Sequence, residues 1–152
     1  KAPYILKKYT IDIAEGGEKS ITSRLEFPSS DKIKYNFIGI YDGDMRERLD
    51  TSKLNWKWLF LPGNKALEEL FREYLHVPEN IEKFCGVVGK EKQQIITMLA
   101  TIDGNDYHDW FEELRKFLGI DGKMLVRNFY RIMREMDKEI EEFITELKKN
   151  IG

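Results

Sequence analysis

The chain has 152 residues, a length that suits one domain, or one large piece of one, with a core of its own. Charged residues make up 34% of it but balance to a net −2, which excludes a globally basic surface; nucleic acid would have to be held by a local patch or a metal ion. The single cysteine, Cys85, excludes an internal disulfide and an all-cysteine zinc site, and no apolar run approaches the ~18 residues of a membrane span.

In chain order, residues 9–14 are rich in β-branched side chains and predict a strand, closed by Glu15-Gly16-Gly17. Residues 18–27 predict a short helix with Ile21 and Leu25 on one face, and 28–31 a loop. Residues 35–41 predict the second strand. Its apolar run from Phe37 to Tyr41 is continuous rather than alternating, which suits burial on both faces of a parallel sheet. Strand, helix, strand makes one crossover, expected to be right-handed.

Asp42-Gly43-Asp44 follows that strand directly. In an open α/β sheet, ligands bind at the carboxyl ends of the strands. Two carboxylates separated by one glycine repel each other unless a cation lies between them, and Mg²⁺ prefers such hard oxygen ligands. Glycine leaves the chain free to turn and aim both acids at one ion. Asp-Gly is equally a plain turn signal, and the acids then bind nothing.

Residues 46–53 are charged and surface-like. Residues 55–61 predict a third strand with Trp56 and Trp58 on one face, broken by Pro62-Gly63-Asn64. Asn64 is placed to cap a helix with the apolar stripe Leu67, Leu70, Phe71, Tyr74 and Leu75, which Pro78 ends. The rest of the chain reads as helical. One or two turns are expected over 79–84, then a helix over 91–101 and a turn at 103–105. Asp106 should cap a helix with Trp110, Phe111, Leu114, Phe117 and Leu118 inside. After Gly119 and Gly122, a single last helix should carry a nine-residue apolar stripe from Leu125 to Leu147. The expected fold class is therefore α/β, a small parallel Rossmann-like sheet followed by a helical C-terminal half. Residues 1–63 form the sheet part and 64–152 the helical part, packed as one unit.

The chain starts at Lys1-Ala2-Pro3 without a methionine, which reads as the start of a fragment, and no signal-peptide pattern precedes the first strand. A cytoplasmic location away from membranes is the expectation. Cys85, among Phe84, Val87 and Val88, reads as a small packed residue. His108, between acids at the start of a helix, is a ligand or base candidate but equally a surface residue; His76 reads as a helix-end residue. Lys65 could meet a phosphate or simply solvent.

Gly39-Ile40-Tyr41-Asp42-Gly43-Asp44 and Leu61-Pro62-Gly63 together resemble the Toprim domain of the overcoming-lysogenization-defect nucleases, which are linked to ABC-type ATPases. The likeness covers residues 9–63, and the segment 106–111 is similar to the C-terminal part of such proteins. It implies a Mg²⁺ (or Mn²⁺) dependent nuclease of phage defence, with Asp42 and Asp44 as metal ligands, DNA as substrate, an ATPase domain or subunit as partner, and a homo-oligomeric whole. The family's catalytic glutamate ends its first strand in Glu-Gly. Glu15-Gly16 has that form, yet the 26 residues between Glu15 and Asp42 leave room for only one helix and one strand. Either Glu15 is that acid, or the equivalent glutamate precedes Lys1. Two rival readings are a catalytically inactive Toprim-like interaction domain, and a haloacid dehalogenase-like phosphatase. The phosphatase motif would need threonine or valine where Met45-Arg46 stands.

Overall fold

The computed structural model describes residues 10, 12, 14, 16–28, 36–133 and 137–151. Among these the chain is mixed α/β and mostly helical, with two short strands and seven helices. Strand β1 (Ile38–Tyr41) lies parallel to β2 (Lys57–Phe60), in a register that sets Ile38 beside Lys57 and Tyr41 beside Phe60. Helix α1 (Gly17–Glu26) precedes β1 and packs on it through Leu25. The strand expected over 9–14 falls largely outside the described residues.

Burial along β1 differs from expectation. Gly39 and Tyr41 are buried, whereas Ile40 is 38% exposed and Phe37, just before the strand, is 43% exposed. The continuous apolar run therefore does not mark burial on both faces among the described residues; α1 covers the Gly39–Tyr41 face.

From β1 to β2 the chain runs through two 3₁₀ turns, Gly43–Arg46 and Thr51–Lys53. The residues leading into β2 then satisfy the carbonyls left open at the end of α1. The Asn55 backbone N–H donates to the Leu25 carbonyl (2.8 Å), the Asn55 side-chain amide to Glu26 (2.7 Å) and the Trp56 indole to Phe27 (2.8 Å). The pair of tryptophans before and within β2 thus has a polar as well as an apolar use.

The helical part is α2 (Leu67–Leu75), α3 (Pro78–Val88), α4 (Lys92–Ile102), α5 (Tyr107–Leu118), α6 (Gly122–Ile132) and α7 (Asp137–Ile151). Asn64 does not cap α2: Ala66 holds the N-cap position and Asn64 is exposed in the preceding loop. Pro78 is the first residue of α3, where its missing N–H costs nothing, and α3 runs well past Phe84. Glu91 and Gln94 form a capping box on α4. Asp106 caps α5 as its sequence predicts, accepting from the N–H groups of His108 and Asp109. Phe129 of α6 stacks on Phe71 of α2, with ring centroids 4.1 Å apart, and on Phe84 of α3 at 4.9 Å.

The long last helix is two helices. Met133, at φ −84° and ψ 64°, leaves the helical region after Ile132, and the buried Tyr74 hydroxyl donates to the Ile132 carbonyl at 2.8 Å. The first half of the stripe, on α6, enters the core of the helical part; the second half, on α7, packs against β2 and, through Ile140, against the edge of that core. No described helix is long and apolar enough to cross a membrane.

Candidate functional site

Asp42 ends β1 in extended conformation and opens the turn that carries Asp44. The turn is fixed by the loop after β2. The ladder extends one step, from the Leu61 N–H to the Tyr41 carbonyl at 2.8 Å. Arg46 then crosses over and donates to the carbonyls of Leu61 (3.1 Å) and Gly63 (3.3 Å) with its guanidinium 5.0 Å from the Phe60 ring centre. A Cβ on Gly43 would lie 2.4 Å from the Gly63 carbonyl oxygen, so the glycine between the two acids is required by contact with the second loop. Gly63 itself has φ +86°. The Asp-Gly-Asp and Leu-Pro-Gly segments, about twenty residues apart in sequence, are thus one packed unit.

Around the half-buried Asp42 carboxyl the chain gathers like charges. Burial pushes its proton affinity above the usual aspartate range, and repulsion from Glu68 and Asp44 adds to this, while His108 opposes it. Glu68 lies in the first turn of α2, and His108, in the first turn of α5, brings Nδ1 to 3.8 Å from its Oε1. Tyr130 of α6 and Tyr107 of α5 complete the neighbourhood. Both phenols are pushed up by burial and then by acids of the site: Asp42 for Tyr130, and Asp44 with Asp106 and Glu68 for Tyr107. Asp44 already has a cationic partner, accepting from Arg48 at 2.8 Å.

Of the residues singled out in the sequence, Asp42, Asp44 and His108 are brought to one place. Glu15 lies outside the described residues. Lys65 is engaged by Glu73 and Glu69, and His76 Nε2 sits 3.1 Å from Asp103 on another part of the surface. Cys85 is half-buried against the helical core, and burial raises its thiol, which suits packing rather than nucleophilic chemistry. Glu68, Tyr107 and Tyr130 escaped the sequence reading. For Glu68 a signal existed, since the first turn of a helix following a parallel strand faces the strand's carboxyl end. Tyr130 gave none, because its approach to Asp42 depends on how α6 packs.

The donor set is hard oxygen, which fits Mg²⁺ or Mn²⁺. Mg²⁺ is commonly held by one or two carboxylates with water and substrate oxygens completing the shell. Among the described residues no three His, Cys, Asp or Glu side chains are grouped to hold a metal ion. Comparison with protein-family models, with curated proteins and with solved structures finds no match to this chain.

Proposed function

We propose that the chain is a Toprim-like module in which Asp42 and Asp44 hold Mg²⁺ (or Mn²⁺) for hydrolysis of DNA phosphodiesters, working with an ATPase domain or subunit as in overcoming-lysogenization-defect proteins. The observation that carries this reading is the placement of Asp42: it ends a parallel strand, half-buried, and opens the turn that carries Asp44. Burial and the charges of Glu68 and Asp44 disfavour its anion, which a bound cation would relieve. A bound divalent ion supplies Lewis acidity toward the phosphodiester and lowers the pKa of a water. The chain's own part is to aim Asp42 and Asp44 through the Gly43–Gly63 contact and the Arg46 bonds. Glu68 and His108 stand beside them, with His108 Nδ1 3.8 Å from Glu68 Oε1.

A second reading, an inactive Toprim-like interaction domain, is favoured by one contact: Arg48 supplies Asp44 with a positive charge from within the chain. The phosphatase reading gains nothing, since Met45 is buried in the small core beside Leu25 and Tyr41. Calorimetric titration with Mn²⁺, together with plasmid nicking in Mg²⁺ or Mn²⁺, separates the readings. Saturable Mn²⁺ binding and nicking, both abolished by Asp42→Asn, are expected. Binding without nicking moves the protein to the second reading, and no Mn²⁺ binding at all overturns the metal site.

A further inference from the structure

Helix α6 carries Lys123, Arg127 and Arg131 at i, i+4 and i+8 and no acidic residue. All three are exposed, and no ion pair or hydrogen bond engages their side chains among the described residues. Several cations elsewhere on the surface are paired with acids of their own helix, Arg115 with Glu112, Lys116 with Glu113 and Lys138 with Glu142, whereas the other exposed lysines without such a partner among the described residues, Lys19, Lys57, Lys148 and Lys149, do not form a row with helical spacing. Helix stability does not account for the ridge. Like charges four residues apart repel, and Lys123 stands in the first turn, where the helix dipole disfavours a cation.

The position of the ridge supplies the reason. Successive cations are about 6 Å apart along the helix axis, so the row spans about 12 Å. Tyr130 lies seven residues after Lys123 and three after Arg127, on the adjoining side of the helix, and its ring meets Phe71 edge-on at 6.0 Å, one helical turn after Glu68 of the carboxylate site. The row therefore adjoins the helix that carries Glu68, on a chain whose net charge of −2 offers no general attraction for polyanions.

We propose that Lys123, Arg127 and Arg131 form a track for the sugar–phosphate backbone of DNA, leading one strand past Tyr130 to Asp42 and Asp44. The direction of the strand rests on the function proposed above; the binding itself requires no metal. Lysine and arginine on a row at this spacing neutralise phosphates without reading sequence, so affinity should fall steeply with salt and be indifferent to base composition.

The test is fluorescence anisotropy of a labelled duplex DNA in EDTA over a range of salt concentrations. It compares the wild-type chain with Lys123→Ala/Arg127→Ala/Arg131→Ala and with Lys138→Ala/Lys148→Ala/Lys149→Ala, a control on α7 that removes the same charge. The ridge variant is expected to lose about tenfold or more in affinity and to flatten the salt slope by about 2 to 3, one unit per lost phosphate contact. The control should stay near wild type. Equal losses in both variants, an unchanged ridge variant, or no DNA binding by the wild type would each overturn the track. So would tighter binding of an RNA duplex of equal length, or of anionic vesicles. NMR titration of the wild-type arginine Nε resonances provides a readout independent of variant folding: Arg127 and Arg131 should shift on adding DNA, and resonances that stay still would refute the contact. Because the titration is run without metal, retained DNA binding in a chain that fails to bind Mn²⁺ separates a failed metal site from a failed track.

Discussion

The two parts of the molecule are held together by different forces. In the helical part, fourteen buried apolar residues drawn from α2 to α6 and the Met133 that follows form one continuous core. In the sheet part the described core is Leu25, Tyr41 and Met45 with partly buried neighbours, and Phe27, Phe37 and Ile40 remain exposed. Among its described residues the sheet part is also tied by contacts to the backbone: the Gly43–Gly63 approach, the Arg46 bonds and the Asn55 and Trp56 caps on α1. The difference teaches that the carboxylate turn is positioned by polar contacts between two loops, whereas the helical part is joined by apolar packing.

The strongest way to break this comparison is Phe129→Ala. The ring is fully buried and stacked between Phe71 and Phe84, and its removal should cost about 3–5 kcal/mol in urea unfolding followed by circular dichroism. A cost below about 1 kcal/mol would show that the helical core does not dominate. Gly43→Ala sharpens the comparison. Its Cβ must displace the Gly63 carbonyl, at a cost of about 1–3 kcal/mol. Hydrogen exchange should rise at β2 and the loop after it while α5 amides keep their protection; uniform loosening would mean that the two parts are not separable.

The smallest effect has the opposite sign. Asp42 binds its proton more tightly folded than unfolded. Below the ordinary aspartate range both states are protonated and the group contributes nothing; as pH rises through the raised value, ionisation costs stability. Asp42→Asn is therefore expected to raise the melting midpoint at neutral pH, with the gain vanishing in acid. A gain that persists in acid would assign it to something other than the charge.

Local signals were legible where local physics decides. Asp106 before a periodic stripe specifies α5, and a run of apolar residues entering Asp42 specifies a strand with acids at its end. Gly43 was singled out correctly but for a turn, whereas the constraint is a clash with a loop twenty residues away. The stripe from Leu125 to Leu147 keeps its helical period across Met133 with no glycine or proline to mark a stop, so the division into α6 and α7 is invisible in the pattern. It becomes legible only when Tyr74, far back in sequence, is seen to take the Ile132 carbonyl. The exposure of Ile40 was hidden for a related reason, since a continuous apolar run does not say which of its faces the rest of the chain covers.

Consider a pull on the chain from its carboxyl end. Helix α7 lies along β2 and is fastened to the loop after it by one described hydrogen bond, from the Gly63 N–H to Glu139 at 2.9 Å. Behind it stands Ile132, with its side chain in the main core and its carbonyl gripped by Tyr74. Ile140 of α7 also packs on that core, so a load on α7 is divided between the core and the Glu139–Gly63 bond, and the backbone of Gly63 bears on Gly43, between Asp42 and Asp44. The end of the chain is thereby a lever whose short arm rests on the carboxylate turn.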